Sequence, residues 1–112
     1  MQMRFRPFIL TSLGIFFLPA TQFAAEPSFS AVAQPFLENY CLDCHDGETK
    51  KGDLSFEELT EVNTGNFGVW KSIWEQVALK EMPPKKKKNQ PEAIDRLRLS
   101  KWILGEMEQL MK

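Results

Sequence analysis

Residues 41 to 45 read Cys-Leu-Asp-Cys-His, and the spacing within this run constrains the fold more than any other feature of the sequence. Residues three and four apart share one face of a helical turn, so Cys41, Cys44 and His45 can converge on one flat group. Two cysteines followed by a histidine at this spacing form the attachment motif of a c-type haem. The motif therefore predicts that Cys41 and Cys44 bind a haem through thioethers and that His45 binds its iron.

Other interpretations of the cysteine pair compete with haem attachment. A disulfide in an exported domain needs no adjacent histidine, and a thioredoxin-like redox pair belongs in a βαβ pattern that is not visible around these residues. A structural zinc site needs four nitrogen or sulfur ligands, whereas the sequence has two cysteines and one histidine. Haem attachment is the preferred interpretation, and the disulfide and the thiol pair stay open as alternatives.

The first 25 residues have the pattern of a secretory signal peptide. Arg4 and Arg6 precede a mostly apolar run from Phe8 to Leu18, and small residues follow at the end of the segment. The run is shorter than the ~20 residues that span a bilayer, so cleavage after Ala25 is preferred over a retained anchor. Residues 31–33 also fit a small-x-small cleavage site. The pattern predicts a periplasmic or otherwise extracytoplasmic protein that contacts the membrane only through this peptide.

Cleavage there leaves residues 26–112 as one domain with little volume for a core, so a buried cofactor would add substantially to its stability. The whole chain has 14 basic and 15 acidic residues. Removal of the two leader arginines makes the remaining domain more acidic. This balance gives no support to nucleic-acid binding.

The domain is predicted to be all-α, with three main helices around the haem and irregular loops between them. The first helix follows Ser30 as a possible N-cap, or begins near Gln34 because Pro35 belongs in a first turn, and it runs to about Tyr40. The second covers residues 67–80, and the third runs from about residue 91 to near the C-terminus. The predicted apolar face of the first helix is Val32, Phe36 and Tyr40. That of the second helix is Phe67, Trp70, Ile73, Trp74 and Val77, and that of the third is Ile94, Leu99, Trp102, Ile103 and Leu110.

Three tryptophans and one loop complete this picture. Trp70 and Trp74 lie one turn apart, and their interpretation as core residues is preferred over contact with the porphyrin. Trp102 is predicted to pack the last helix against the first. Residues 47–65 are predicted to form an irregular loop over the haem, with one short helical turn at residues 55–59.

Methionine is the natural candidate for the second axial ligand of the iron, because His45 is the only histidine of the chain. Met82 stands immediately before Pro83-Pro84, which stiffen the backbone and end the preceding helix. Its alternative role is that of a core residue at a helix end. The other methionines belong to the leader or to the end of the last helix: Met1, Met3, Met107 and Met111.

These residues together resemble the planctomycete-type cytochrome c domain, over about residues 34–104. The resemblance is carried by Pro35-Phe36-Leu37, Tyr40-Cys41, Cys44-His45-Asp46-Gly47, Lys51-Gly52-Asp53-Leu54, Trp70, Trp74 to Val77, Met82-Pro83-Pro84, Gln90-Pro91 and Trp102-Ile103. It implies a small helical cytochrome c fold, with His45 and Met82 as axial ligands and an electron-transfer role outside the cytoplasm. A glycine often precedes Met-Pro-Pro in such domains, whereas Lys80-Glu81 stands here.

An electron carrier rather than a catalyst is the preferred function, since the chain has no second histidine to serve as a distal acid or base. The alternatives are a haem enzyme or ligand sensor with a displaceable Met82, and a domain that docks to a larger oxidoreductase; such modules often belong to longer proteins. Four positive charges, Lys85, Lys86, Lys87 and Lys88, could steer an acidic redox partner to the haem edge. A simple solvated loop is the slightly preferred interpretation of this run.

Overall fold

The computed structural model of the protein describes residues 2–4, 7–9, 13–21 and 26–112. Within those ranges the chain forms four α-helices, one short 3-10 helix and no strand, which confirms the all-α prediction. The helices are α1 (Ala33–Tyr40), α2 (Leu42–His45), α3 (Phe67–Ala78) and α4 (Ala93–Leu110), and the 3-10 helix covers Lys51–Asp53. Of the predicted signal peptide, Arg6 and the cleavage site at Ala25 lie outside the described residues. No described helix combines the length and apolarity that a membrane span requires.

The first helix begins at Ala33, close to the alternative start near Gln34, and the prediction of Ser30 as its N-cap is wrong. Pro35 explains the late start, because its ring would clash with the carbonyl of residue 31 if the helix began at Ser30. The segment before the helix is a turn instead, in which the hydroxyl of Ser28 accepts a hydrogen bond from the N–H of Ala31 at 3.3 Å. Pro35 consequently lies in the first turn of α1, where its missing N–H costs nothing.

The last helix buries most of its predicted stripe but not all of it. Leu99, Trp102 and Ile103 are buried, whereas Ile94 is 57% exposed and Leu110 is 39% exposed. Ile94 lies nine residues before Ile103, about half a turn away around the helix, so it faces the opposite side. Leu110 is the last residue of α4. The buried stripe is completed by Arg96 and Met107, neither of which was predicted to lie there.

The core is organised around Trp70 of α3, which is completely buried. Its ring meets Trp102 of α4 edge to face at 5.3 Å between centroids, and Phe29 packs against both rings at 6.3 and 6.0 Å. Trp74 is half-buried against the same cluster. The core interpretation of Trp70 is therefore correct, and Trp102 reaches the beginning of the domain through Phe29, in the turn before α1.

The predicted helical turn at residues 55–59 is a single hydrogen-bonded turn, in which the N–H of Leu59 donates to the carbonyl of Phe56 at 3.2 Å. The regular element of this loop lies earlier, as the 3-10 helix at Lys51–Asp53. Gly52 within it has φ of +65°, in the left-handed region that glycine adopts at low cost. The apolar residues of the loop still serve the core, since Phe56 and Val62 are buried.

The end of α3 forms a Schellman motif that leads into Met82. The N–H of Lys80 donates to the carbonyl of Val77 at 3.1 Å, and the N–H of Glu81 donates to the carbonyl of Gln76 at 2.9 Å. Lys80 has φ of +59°, where a glycine would be relaxed. The turn before Met-Pro-Pro thus keeps its left-handed geometry although a lysine has replaced the glycine that is common there.

Replacing Lys80 with glycine should stabilise the domain. A lysine in the left-handed region is strained, and removal of that strain exceeds the entropy that glycine adds to the unfolded chain, so the free energy of unfolding should rise by about 0.5–1 kcal/mol. Urea denaturation of the purified protein measures this change. The matched control is Lys101→Gly, at an exposed helical position of α4, which should lower the free energy of unfolding by about 1 kcal/mol. Equal destabilisation by both changes would contradict the account of the turn.

Candidate haem-binding site

One cavity of about 510 Å³ brings all four predicted site residues together, since Cys41, Cys44, His45 and Met82 all line it. Its volume is typical of a cofactor site. The remaining walls come from the end of α1, from α3, from the loop after α2 and from the segment after Met82; their apolar members include Leu54, Phe56, Ile73, Val77, Pro83 and Pro84. Residues far apart in the sequence therefore meet around an apolar space large enough for a flat cofactor.

The helix α2 presents the three residues of the motif to this cavity. The carbonyl of Cys41 accepts hydrogen bonds from the N–H of Cys44 at 3.2 Å and from the N–H of His45 at 2.9 Å. The motif is therefore one helical turn, as its spacing predicts. Both cysteines are free, half-buried thiols.

Burial raises the pKa of the Cys41 thiol to about 12, so this thiol is neutral near pH 7. The attacking cysteine of a thioredoxin-like pair requires the opposite, a lowered pKa that yields the thiolate. The environment of Cys41 therefore disfavours the redox-pair alternative.

The imidazole of His45 is held against Phe56. The ring centroids are 4.8 Å apart with an interplanar angle of 34°, and the N–H of Phe56 donates to the carbonyl of His45 at 2.7 Å. The Nδ1 atom of His45 is buried and has no hydrogen-bond partner among the described residues. Phe56 lies in the predicted loop at residues 47–65, and the sequence assigned it no role beside the histidine. The pattern of its neighbours in the sequence gives no sign that it orients the histidine.

The loop after His45 is closed by carboxylates. Oδ1 of Asp46 accepts hydrogen bonds from the N–H groups of Thr49 at 2.6 Å and Glu48 at 3.1 Å. The N–H of Thr49 is the main reason that the pKa of the Asp46 carboxyl lies below its ordinary value. Glu57 accepts a hydrogen bond from the N–H of Gly47 at 2.9 Å, and a Cβ atom at Gly47 would lie 2.6 Å from Oε2 of Glu57. Gly47 therefore allows the close approach of the carboxylate, which joins the beginning of this loop to its middle.

Met82 lines the same cavity from the segment that follows α3. Its side chain is 36% exposed, and it is the one methionine of the described ranges that lines the cavity. Its N–H donates to the carbonyl of Gln76 at 3.1 Å, and its peptide bond to Pro83 is cis. Met107, by contrast, is buried in the helical core. The structure thus places at the cavity the methionine that the sequence selects.

Arg96 supports this segment from α4 and was missed in the sequence. Its Nη1 atom donates to the carbonyl of Met82 at 2.8 Å and to the carbonyl of Val77 at 3.1 Å. A signal was present, because Arg96 lies three residues before Leu99 and seven before Ile103, in register with the buried stripe. An arginine at such a position indicates a buried carbonyl or carboxylate that it must satisfy.

Two of the four lysines in the run at residues 85–88 contribute to the cavity wall. Lys86 and Lys87 line it, whereas Lys85 and Lys88 do not, and all four side chains are exposed. The structure therefore divides this charged run into two lysines at the cavity and two that face elsewhere.

The all-α fold, with its Cys-x-x-Cys-His turn opening onto an apolar cavity, defines the class of cytochrome c-like domains. Residues 41–86 match the family model described as planctomycete cytochrome C, and this match confirms the resemblance seen in the sequence. Over this segment the chain is similar to that family, which supports a planctomycete-type cytochrome c domain. The match extends from Cys41 past Met82, within the domain predicted for residues 26–112. No curated protein and no solved structure matches the chain.

Proposed function

We propose that this protein is an extracytoplasmic electron carrier, in which a covalently attached haem c is held by Cys41 and Cys44 and its iron is bound by His45 and Met82. The observation that carries the proposal is the single cavity that all four residues line. Residues 41 to 45 are joined by one helical turn, but Met82 comes from a distant part of the sequence. Its arrival at the same cavity is what a two-ligand iron site requires.

The residues present fit a haem in three further respects. The lining is mainly apolar, as the faces of a porphyrin require. The Cys41 thiol is neutral and half-buried, which suits a cysteine whose role is a permanent thioether. The buried Nδ1 of His45 lacks a hydrogen-bond partner in the described part of the chain, so the imidazole is a polar group in an apolar wall that a ligand would satisfy.

The chemistry that a bound haem supplies is the reversible storage of one electron on iron. The residues of the chain do the rest. His45 is oriented by Phe56, Met82 lines the same cavity, and the apolar walls limit access of water. If His45 and Met82 both held its iron, a bound haem would transfer electrons and would leave no open position for a substrate.

Export is part of the proposal because residues 1–25 have the pattern of a secretory leader. Cysteines outside the cytoplasm are in an environment where free thiols become disulfides unless they are otherwise bonded. A thioether to haem protects both cysteines from that outcome.

The direct test is a reduced-minus-oxidised absorption spectrum of the exported protein, made together with the haem-attachment machinery. Acid-acetone extraction then shows whether the haem remains with the polypeptide. A low-spin reduced spectrum with retained haem is expected. Absence of haem, with Cys41 and Cys44 joined in a disulfide, would overturn the proposal.

The partner is proposed to be an acidic redox protein that approaches over Lys86 and Lys87. The support is their position at the cavity wall, since charges at this place act on whatever docks over the cofactor. Oxidation of the reduced protein by hexacyanoferrate(III), an anion, measures this effect by stopped-flow absorption. Lys86→Gln combined with Lys87→Gln should slow the reaction several-fold at low ionic strength, and added salt should remove most of the difference.

The matched control is Lys101→Gln combined with Lys112→Gln, which removes the same charge from exposed positions that do not line the cavity. The control pair should change the rate much less. Hexaammineruthenium(III), a cation, should show no such slowing with the Lys86 and Lys87 variant. Equal slowing by the two lysine pairs would show that only net charge matters, and the docking surface would be withdrawn.

A further inference from the structure

Arg96 of α4 is a buried cation that contacts the segment at residues 82–87, and it forms no ion pair with a described residue. Arg96 is 8% exposed, and its guanidinium donates three hydrogen bonds, all to uncharged oxygens. Two are the carbonyls of Met82 and Val77, and the third is Oε1 of Gln90 at 3.0 Å. The ion pairs of the described residues join Lys71 to Glu75 and Arg98 to Asp95, and Arg96 has none. Burying a guanidinium costs free energy unless its N–H groups are hydrogen-bonded. The three acceptors offset that cost, and they show which parts of the chain Arg96 holds.

Gln90 extends the contact of Arg96 along the rest of the segment. Its Nε2 atom donates to the carbonyls of Pro84 and Lys87, both at 2.9 Å, while its Oε1 accepts from Arg96. One buried side chain on α4 therefore holds residue 82 directly and residues 84 and 87 through one amide. We call these three carbonyls, together with Arg96 and Gln90, the Arg96 network.

The backbone of Met82 is fixed from both sides. Its N–H donates to the carbonyl of Gln76, and its carbonyl accepts from Arg96 at 2.8 Å. The side chain is 36% exposed and is flexible by nature, with three rotatable bonds. The direction in which the thioether leaves the chain is consequently set by the peptide groups around Met82 rather than by packing of the side chain itself.

We propose that Arg96 is the positioning residue for the Met82 thioether, and that the Arg96 network sets how much of the time the iron is closed by that ligand. The inference rests on the proposed function, because it takes Met82 to be the axial ligand. Arginine is suited to this task since its planar fork reaches several acceptors in fixed directions, which the single ammonium of lysine cannot do. Hydrogen bonds to the backbone carbonyl of Met82 do not depend on the side chain at that position.

The test compares carbon monoxide binding to the reduced holoprotein in wild type, Arg96→Lys and Gln90→Ala. Arg96→Lys removes the hydrogen bond from the guanidinium to the carbonyl of Met82. This loss should raise the fraction of protein with an open iron roughly ten- to hundredfold, so CO should bind correspondingly faster. Gln90→Ala keeps Arg96 and removes the links to residues 84 and 87, so a smaller increase is expected. Its side chain is exposed, which makes it the variant to rely on if Arg96→Lys does not fold.

The matched control is Arg98→Lys, the same change on the exposed side of α4, which should leave CO binding unchanged. A second readout does not involve the iron: trypsin cleaves after lysine, and the run at residues 85–88 should be cut several-fold faster in Arg96→Lys and Gln90→Ala than in Arg98→Lys. Far-UV circular dichroism verifies that the helices are retained.

The decisive comparison repeats Arg96→Lys in a Met82→Ala background. If Arg96 acts through the thioether, the double variant should bind CO at the rate of Met82→Ala alone. An effect of Arg96→Lys that persists in this background would overturn the positioning role and leave the proposed function intact. The positioning role would also be overturned if Met82→Ala bound CO fast while Arg96→Lys and Gln90→Ala bound it at the wild-type rate. Unchanged binding by Met82→Ala would instead overturn the assignment of Met82, and the positioning role with it.

Discussion

Replacement of Met82 with alanine is expected to convert a closed iron site into one that binds carbon monoxide rapidly at neutral pH. Met82 supplies the one thioether among the described residues that line the cavity, and the single histidine of the chain, His45, lies in the Cys-x-x-Cys-His turn. Alanine has no donor atom, so the position should be left to water or to an added ligand. The change should be close to all-or-none at saturating CO, measured from the absorption spectrum of the reduced protein.

The control for this experiment is Met111→Ala. Met111 is 70% exposed at the end of α4 and does not line the cavity, so its loss should leave the spectrum and the CO kinetics unchanged. Rapid CO binding by the unmodified protein would point to the ligand-sensor alternative, in which Met82 is displaced. A reduced spectrum that does not change in Met82→Ala would rule out Met82 as the ligand.

Replacement of Trp70 with alanine should have the largest effect on stability. The side chain is completely buried, it packs edge to face against Trp102, and its Nε1–H donates to the carbonyl of Glu61 at 2.9 Å. Truncation would leave a large void and remove one of the two hydrogen bonds to the carbonyl of Glu61, which also accepts from Nδ2 of Asn66, for a loss of about 3–5 kcal/mol in the free energy of unfolding. Since small domains have only about 5–15 kcal/mol in total, this loss should bring the domain close to unfolding. Urea denaturation, followed by helical circular dichroism, measures it.

Trp74→Ala is the matched control one turn further along α3. Trp74 is only half-buried against the core, so less than half of the Trp70 loss is expected. Trp70→Phe keeps an aromatic ring and removes the hydrogen bond to Glu61, and it should cost about 1–2 kcal/mol. Similar losses for Trp70→Ala and Trp74→Ala would contradict the central place of Trp70 in the core.

The local features of this protein were accessible from the sequence. The Cys-x-x-Cys-His turn is specified by residues within one helical turn, and the apolar period of α3 places Trp70, Ile73 and Val77 on its buried face. Met82 follows from counting the available ligands and from the two prolines after it. The first two inferences depend on geometry within a few residues, and the structure shows the helical turn and the buried face of α3. The structure places Met82 at the cavity, and its role as an iron ligand stays a prediction.

What the sequence did not indicate depends on contacts between distant segments. The orientation of His45 depends on its contact with Phe56, and the position of the Met82 carbonyl depends on a hydrogen bond from Arg96. The left-handed conformation at residue 80 could not be predicted, because lysine rarely adopts it. The exposed Ile94 is a different case, because its spacing of nine residues from Ile103 already places it on the opposite face of α4. The signal peptide stays a prediction from residues 1–25.

The boundaries of the family match have a consequence for the smallest piece of this protein that can work. Residues 41–86 contain the attachment motif and Met82, but α1 and α4 lie outside them, and with them Trp102, which packs on Trp70, and Arg96. A peptide restricted to the matched segment would have both proposed iron ligands but would lack Trp102 and Arg96. The recognisable signature is therefore shorter than the cooperative unit, and transplanting the site to another scaffold would require two further helices.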